Sequence, residues 1–502
     1  MTKQPKKATT KRKPKAQKSK NLPVYFLSLE VENVLCFKEK QELNLSRNGS
    51  PAKWTVILGN NGVGKTTLLK CLAMIEKRQE EYINPTPSIP ALISSYIYLH
   101  PSSNSLVWED LKYLRAAHAK INANVLNLDY LGKSPDQNQK AQIQISLENG
   151  SSTFSLHPTN IDELLLEISS SEEYKTFLDP NDIEKLSIVN KRINERFMNN
   201  LLCYGYGATR KYGKELLSKT VFPRNSLSLF SEEAVLINPE EWLLQTDYAV
   251  KSASGKTKIS LEKQFNHIVE ILKQILPDID NIRISSVDEE NLSPKAEFLT
   301  PFGWVQLSSL GLGYRTTIAW MVDLAVRLFK RYPDSENPLA EPAIVLVDEI
   351  DLHMHPKWQR DIMQFLTDRF PNTQFIVTAH SPLVVQAAQD ANVVLLQREG
   401  DQVKIINNND LEIIENWRVD QVLTSVFEIP SARPPQIEKL LAERQEILSK
   451  PKISKADKAK LKELEKKIGA LPTAENPDDI KAMDIIRRAA KLLEKSGAEA
   501  VE

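Results

Sequence analysis

Cysteine is scarce in this sequence, and the few cysteines that occur are far apart. The 502 residues contain three, Cys36, Cys71 and Cys203, and their spacing is not that of a metal site. The sequence therefore argues against a cysteine-based metal centre. We expect the three side chains to be buried free thiols in the reducing environment of the cytoplasm.

The sequence also lacks a membrane-spanning run and a secretory signal. No apolar stretch approaches the length that a membrane span needs. The N-terminus is charged, is interrupted by proline and has no apolar segment of the kind found in signal peptides. We therefore expect a cytoplasmic protein with no membrane partner.

Net charge is absent as well, but the charges are unevenly distributed. Residues 1–20 carry nine Lys and Arg and no acid, so acidic residues outnumber basic ones by nine in the rest of the chain. The like charges and the lack of apolar periodicity predict a disordered basic tail. This tail is either simply solvated or an arm that docks on nucleic acid by counterion release.

What the sequence does contain is a complete phosphate-binding loop. Residues 59–66 match G-x-x-x-x-G-K-[ST] at every fixed position, between an apolar strand-like run and a helix-like segment. Glycines let backbone N–H groups turn towards phosphate oxygens, and the helix N-terminus adds positive potential. The residues predicted to bind the nucleotide are Gly59, Asn60, Asn61, Gly62, Val63, Gly64, Lys65, Thr66 and Thr67. Among them, Lys65 is expected to reach the β- and γ-phosphates, and the Thr66 hydroxyl to ligate Mg2+.

Three further candidate residues follow two apolar strands late in the chain. The strand predicted at 343–347 ends in Asp348 and Glu349, and the strand predicted at 373–379 ends in His380. Asp348 suits Mg2+ binding through water, and Glu349 suits activation of the water that attacks the γ-phosphate. The alternatives are a solvated pair of acids and a structural histidine; as a functional residue, His380 would contact the γ-phosphate.

The order of these motifs resembles that of a known family. An LSxG-like segment at 307–313 opens a long amphipathic helix and precedes the acidic strand, which continues into a His- and Trp-containing run at 348–359. This order resembles the ABC-type ATPases of the SMC, RecF and OLD branch. The tract at 416–423, with Phe427, resembles more narrowly the PtuA-type ATPases of Septu anti-phage defence, which also occur with retrons.

The resemblance implies a homodimer or a higher even oligomer in which two ATP molecules lie between protomers. One protomer supplies the phosphate loop and the two acids, and the other supplies a serine and a glycine of the LSxG segment. Two assignments of that segment stay open: Ser309 with Gly311, or Gly311 in the place of the serine with Gly313 as the glycine. In either case a helix N-terminus directs N–H groups at the γ-phosphate.

The function that this resemblance implies is ATP hydrolysis, with Mg2+, that controls a partner nuclease of HNH type through nucleotide-dependent dimerisation. Nucleic acid, either DNA or retron RNA and DNA, is a further expected partner. The alternatives are a RecF-like DNA-repair ATPase that clamps DNA and a transporter ATPase subunit, which the large insert disfavours. We expect no nuclease activity of its own, because no second strand-rich domain, zinc site or HNH pattern follows His380.

Strands that alternate with helices predict an α/β fold with a parallel-sheet core. The resemblance makes this an ABC-type P-loop ATPase with antiparallel N-terminal strands, a helical insert and a helical C-terminal extension. His353 and His355 fit helix capping or an interface better than a metal site. The predicted segments are the basic tail at 1–20, the first part of the ATPase lobe at 21–100, a mainly helical insert at 101–200, the second part of the core at 201–415, and a helical C-terminal region at 416–502.

Overall fold

A computed structural model describes most of the chain between residues 23 and 469. The chain divides into two units, residues 1–422 and 423–502. The described ranges are 23–75, 118–127, 139–148, 151–158, 200–211, 225–275, 279–285, 294–388, 390–407, 422, 435–448 and 454–469. The basic tail, the strand expected near residues 91–99, the charged segment at 161–197 and the tract at 416–423 except Val422 lie outside these ranges.

The described elements are sixteen strands and nine α-helices, with two short 3-10 turns at Leu307–Ser309 and Pro338–Ala340. The strands are β1 (Val24–Glu32), β2 (Gln41–Asn44), β3 (Ser46–Arg47), β4 (Ser50–Pro51), β5 (Trp54–Gly59), β6 (His118–Asn127), β7 (Gln139–Glu148), β8 (Ser151–Pro158), β9 (Cys203–Tyr206), β10 (Asn281–Ile284), β11 (Ala296–Thr300), β12 (Gly303–Gln306), β13 (Ala343–Val347), β14 (Thr373–Thr378), β15 (Asn392–Glu399) and β16 (Gln402–Ile406). The helices are α1 (Lys65–Met74), α2 (Leu227–Phe230), α3 (Pro239–Ser252), α4 (Gly255–Ile275), α5 (Leu312–Arg331), α6 (Pro356–Arg369), α7 (Pro382–Ala387), α8 (Pro435–Leu448) and α9 (Lys455–Gly469).

A six-stranded sheet in the order β16-β15-β5-β14-β13-β9 forms the centre of the first unit. All of its strand pairs are parallel except β15 with β16, which form the hairpin expected around Gly400. Every residue of β5, β13 and β14 is buried, as continuous apolar strands of a parallel sheet are when both faces are covered. The predicted α/β fold with a parallel-sheet core is confirmed.

A second, antiparallel sheet has the order β2-β1-β6-β7-β8. The predicted N-terminal strand pair is confirmed, since Val31 of β1 lies opposite Gln41 of β2. The other side of β1 pairs with β6, with Val31 opposite Ile121. Without β6, β1 would be an edge strand with unpaired N–H and C=O groups, so this pairing completes its hydrogen bonds.

The prediction of a mainly helical insert at 101–200 is therefore wrong for the described residues of this segment that form β6, β7 and β8. Apolar and polar residues alternate in this part, as in Ile121, Asn122 and Ala123, and a period of two is typical of a strand. For residues 211–300 the sequence predicts a second helical stretch with a strand at 282–284. Helices α3 and α4 and the strand β10 are present there, and β10 pairs with two strands that were not predicted, β11 and β12, in a three-stranded sheet.

Gln374 joins the two large sheets through its buried side chain, which is 2% exposed. Its Nε2 donates to the carbonyl oxygens of Phe26 (2.9 Å), Leu45 (3.4 Å) and Ala52 (3.3 Å). Its Oε1 accepts from the backbone N–H of Phe26 at 2.9 Å. Buried polar groups stabilise a fold only when they are paired, and this amide pairs both of its ends.

The helices agree well with the sequence. The sequence predicts a helix over about 356–369, and α6 spans these residues. The Nδ1 of His355 accepts from the N–H of Lys357 at 3.3 Å, which confirms capping as the role of His355. In the second unit, α8 and α9 form the helical hairpin expected after residue 435. Among the described helices, none is long and apolar enough to cross a membrane.

Candidate functional site: a phosphate loop facing two acids

The phosphate loop has the strand–loop–helix context that its sequence predicts. Strand β5 ends at Gly59, and α1 begins at Lys65 directly after Gly64, whose φ of 88° lies in the left-handed region. A Cβ at Gly64 would lie 2.5 Å from the Sγ of Cys36 and 2.9 Å from the ring of Phe37. Gly64 is therefore required both by its backbone conformation and by the side chains packed behind the loop.

Cys36 is only half buried, which corrects the expectation of three buried thiols, whereas Cys71 and Cys203 are buried as expected. The Sγ of Cys36 donates to the carbonyl of Val63 at 3.7 Å. Burial raises the pKa of the Cys36 thiol, and it raises that of Cys71 to about 12. These thiols thus serve as packing behind the loop and its helix.

Gly64→Ala is expected to weaken nucleotide binding, because the loop must distort to accept the methyl group. Strain of about 1–3 kcal/mol at a left-handed residue corresponds to a loss of affinity of about five- to 150-fold. Gly49→Ala is the matched control, since Gly49 has a φ of 78° but no atom within 4 Å of its Cβ position. Titration of a fluorescent ATP analogue measures both; equal losses in both variants would contradict the steric argument.

Lys65 lies along its own loop, with 7% of the residue exposed. Its Nζ donates to the carbonyl oxygens of Gly59 at 2.8 Å and Asn60 at 2.9 Å. Burial lowers the pKa of the Lys65 ammonium, while Asp348 and Glu349 oppose this shift. The cation is therefore held at the loop by two carbonyls, at the end of a flexible side chain.

Asp348, the first of the two acids predicted after the strand at 343–347, contacts the residue that follows the phosphate-loop lysine. The hydroxyl of Thr66 donates to Oδ2 of Asp348 at 2.7 Å, across 282 positions of sequence. The hydroxyl of Thr378 donates to Oδ1 of the same carboxylate at 2.7 Å. Strands β5, β14 and β13 are parallel neighbours, so their carboxyl ends meet at one edge of the sheet, and this adjacency creates the contact.

Glu349 lies in a turn with an unusual backbone conformation. Its φ is 48°, which is uncommon for a residue other than glycine. Its N–H donates to the hydroxyl of Thr378 at 2.7 Å, and its carbonyl accepts from the N–H of Leu352 at 3.0 Å. Main-chain contacts hold this turn, and they do not use the Glu349 carboxylate.

Sequence reasoning missed Arg210, which follows β9 and lies beneath the acidic turn. Its Nη2 donates to the carbonyl oxygens of Asp348 and Glu349, and its Nε donates to that of Gly207 at 3.2 Å. Burial lowers the pKa of this guanidinium to about 10, against the opposing effect of the nearby carboxylates. An arginine four positions after the end of a buried strand was the available signal, but it matches no motif.

His380 follows β14, as predicted, and is partly exposed. Its backbone N–H donates to Oδ2 of Asp351 at 3.0 Å, so the histidine is fixed relative to the acidic turn. The next residue, Ser381, caps α7 and donates through its hydroxyl to Oε1 of Gln359 at 2.7 Å. The structure thus brings His380 to the same sheet edge as the two acids.

The LSxG-like segment forms the start of α5. Ser309 is exposed in a 3-10 turn, and Gly311 is the residue before the first helical position, where an added Cβ would make only an ordinary contact with the Tyr314 ring at 3.8 Å. A Cβ at Gly313 would lie 2.1 Å from the carbonyl oxygen of His353. Close packing therefore explains Gly313 without a ligand, and both assignments of the serine place stay open.

Comparison with known proteins shows similarity to two retron probable ATPases and to a Septu protein. The retron Vc95 probable ATPase of Vibrio cholerae serotype O1 biovar El Tor is 26% identical over 409 residues, which cover 76% of this chain and 74% of that protein. The retron Ec83 probable ATPase of Escherichia coli is 30% identical over 278 residues, which cover 54% of this chain and 44% of that protein. The Septu protein PtuA of Bacillus mycoides is 25% identical over 448 residues, which cover 88% of this chain and 50% of that protein. The chain thus spans half or less of the length of two of these relatives.

The resemblance to retron and Septu ATPases that the motifs indicate is confirmed by these matches. The profile of the AAA ATPase domain family matches residues 26–385, a range that includes the phosphate loop, the acidic turn and His380. This range is well over half of the chain. The protein therefore belongs to the AAA ATPase domain family.

Proposed function

We propose that this protein binds and hydrolyses ATP as a subunit of an anti-phage defence assembly. The observation that carries the proposal is the 2.7 Å hydrogen bond between Thr66 and Asp348, which joins the phosphate loop to the acidic turn. This pair combines a hydroxyl after the phosphate-binding lysine with a carboxylate at the end of a neighbouring strand, as ATP hydrolysis requires. Release of phosphate from ATP by the purified wild-type protein tests it directly.

The same pair fits Mg2+. This ion prefers oxygen ligands and keeps several waters, so that one or two protein ligands and the substrate phosphates suffice. Among the described residues there is no cluster of three or more His, Cys, Asp and Glu that could hold a metal. Thr66 and Asp348 would therefore hold the ion jointly with the nucleotide, and the ion would neutralise charge on the phosphates.

Glu349 is the residue we assign as general base. Its neighbour Asp348 is engaged by two hydroxyl groups, whereas the described contacts of Glu349 involve its main-chain atoms. Its carboxylate is therefore available to accept a proton from the attacking water. His380, held by Asp351 at the same edge, is placed to contact the γ-phosphate, and Lys65 to bind the β- and γ-phosphates.

Nucleotide-dependent dimerisation completes the proposed cycle. Helix α5 begins at Leu312, and Leu312 itself is 51% exposed, an unusual position for a large apolar side chain. An exposed helix N-terminus with an apolar residue suits contact with a second copy across a bound γ-phosphate. Ser309, Gly311 and Gly313 would then face the nucleotide of the other protomer.

The defence role and the partner are inferred from the relatives. Those relatives are named as retron ATPases and as a Septu protein, so we propose that this ATPase controls a partner nuclease of HNH type, with DNA or retron RNA and DNA as a further partner. The test is phage plating on cells that carry this gene with its genomic neighbours. Protection that survives Lys65→Ala would contradict ATP-dependent control, and protection that needs no neighbouring gene would contradict the nuclease partner.

The purified protein alone is expected to cut no nucleic acid, because we assign the acids near its phosphate loop to ATP hydrolysis, and the described part of the chain has no cluster of three or more His, Cys, Asp and Glu that could serve as a nuclease metal site. The measurement is incubation with plasmid and phage DNA, ATP and Mg2+ or Mn2+, followed by electrophoresis. The control is the same protein after repurification. Cutting that persists through repurification and disappears with an acid substitution in this chain would refute the expectation.

A further inference from the structure

Arg210 is a cation in a place where charge is costly. The residue is 1% exposed, so its guanidinium reaches no solvent. A buried charge needs compensation by hydrogen bonds or by opposite charge. Here the partners of the described hydrogen bonds are three backbone carbonyl oxygens, of Gly207, Asp348 and Glu349. An arginine that bonds to carbonyls fixes the path of a backbone rather than neutralising a side chain.

The backbone that Arg210 fixes is the acidic turn, which is held from two sides. On one side, Thr378 of β14 accepts from the N–H of Glu349 at 2.7 Å. On the other side, Arg210 donates to the carbonyls before and after that same N–H, at Asp348 and Glu349. The two successive peptide groups on either side of Glu349 are therefore restrained from opposite directions. The left-handed φ of Glu349 is strained, so the residue would adopt another conformation without these restraints.

The segment that carries Arg210 is itself held by hydrogen bonds of Tyr206. The carbonyl of Tyr206, four residues earlier, accepts from the N–H of Asp348 at 2.8 Å. The hydroxyl of Tyr206 donates to Oδ2 of Asp323 at 3.0 Å, and Asp323 is a fully buried residue of α5. The segment 206–210 is thus anchored to the sheet and to α5, so that Arg210 can transmit a fixed position to the turn.

We propose that Arg210 is a positioning residue that holds the turn of Asp348 and Glu349 in the conformation needed for the chemical step. The inference rests on the proposed hydrolysis of ATP by Glu349. The hydroxyls of Thr66 and Thr378 hold the carboxylate of Asp348 independently of Arg210, whereas the described contacts of Glu349 involve only its main-chain atoms. Removal of Arg210 is therefore expected to affect the chemical step much more than nucleotide binding. Without Arg210, the carboxylate of Glu349 is no longer held in position to accept a proton from the attacking water.

The test is the substitution Arg210→Met, which keeps the volume and removes the fork of donors. We expect kcat to fall about 100-fold, the size of effect that a misplacement of about 1 Å produces. We expect KM and the dissociation constant for ATP to change by no more than about threefold, since a loss confined to the transition state lowers kcat alone. Unchanged kcat, or a loss of ATP affinity equal to the loss of kcat, would overturn the proposal.

Gln374→Met is the matched control. Gln374 is also buried and also donates to three backbone carbonyls, but it lies near the start of β14, four residues before Thr378. At about 3.3 Å per residue this places it roughly 13 Å from the turn. We expect a lower melting temperature with kcat retained. If both variants lose kcat in proportion to their melting temperatures, the role of Arg210 is structural only and the proposal fails.

A second variant and a second measurement keep the proposal testable if Arg210→Met does not fold. Arg210→Lys retains the charge but offers one nitrogen in place of the planar fork, so kcat should still fall with ATP affinity unchanged. Wild-type kcat in this variant would overturn the proposal.

Hydrogen exchange of the peptide 348–354 can be measured without any hydrolysis of ATP. We expect this exchange to be faster in the Arg210 variants than in the wild-type protein. Absence of hydrolysis by the wild-type protein would refute the proposed function, whereas unchanged exchange would refute the role of Arg210.

Discussion

Glu349→Gln is expected to bind ATP as tightly as the wild-type protein and to hydrolyse it about 100- to 10,000-fold more slowly. The amide has the size of the carboxylate but cannot accept a proton from the attacking water. The described contacts of Glu349 with Thr378 and Arg210 use main-chain atoms, so the substitution should leave the turn in place. Single-turnover hydrolysis with labelled ATP measures the slow step directly.

The same variant should accumulate as an ATP-bound dimer, because the nucleotide that would hold two protomers together is no longer consumed. Light scattering in ATP and in ADP measures this, with the wild-type protein in both nucleotides as the reference. A variant that binds ATP and stays monomeric would contradict nucleotide-dependent dimerisation while leaving the base assignment standing.

Asp351→Asn separates the two acids that could act as base. Asp351 is 8% exposed and accepts from the N–H of His380 at 3.0 Å, so its substitution should disturb the position of His380 more than proton transfer. We expect a smaller loss of turnover than in Glu349→Gln. Turnover at the wild-type rate in Glu349→Gln, combined with a large loss in Asp351→Asn, would move the base to Asp351.

The candidate site could be located from the sequence because its parts are either contiguous or tied to strand ends. The phosphate loop is a single run of residues, and its glycines indicate a tightly turned backbone. Asp348 and His380 were found because each follows a buried apolar strand, and parallel strands place such residues at one edge. The contact between Thr66 and Asp348 spans 282 positions and depends on the order of the strands in the sheet, which the structure shows and the sequence pattern does not predict.

Other features could not be predicted because they depend on contacts that no local pattern records. Arg210 donates to a carbonyl 138 positions away, and a bond to a backbone oxygen leaves no trace in the identity of the partner residue. The strands β6 to β8 do alternate, but small and amide residues make the alternation weak. Their place in the fold becomes clear only from β1, because β6 pairs with the edge of β1 that β2 leaves unpaired.

Lys65→Ala is expected to lower ATP affinity by at least about ten- to a hundredfold, the value of a charge-assisted hydrogen bond of about 1.5–3 kcal/mol. In the structure the ammonium of Lys65 lies on the carbonyls of Gly59 and Asn60, at the loop where the phosphates would bind. Moving it onto the phosphates exchanges two neutral acceptors for anionic ones, a gain that alanine cannot supply. Titration calorimetry with ATP and Mg2+ measures the loss.

Two further variants test whether the loss of ATP affinity in Lys65→Ala is caused by removal of the positive charge of Lys65. Lys65→Met keeps most of the buried side-chain stem and removes only the cation, so it should lose as much affinity as Lys65→Ala while melting closer to the wild-type temperature. Lys70→Ala removes a cation from the same helix, and its Nζ lies 5.9 Å from the ring centroid of Phe230, so ATP affinity should not change. Wild-type affinity in Lys65→Met would mean that packing at the loop, and not its positive charge, holds the nucleotide.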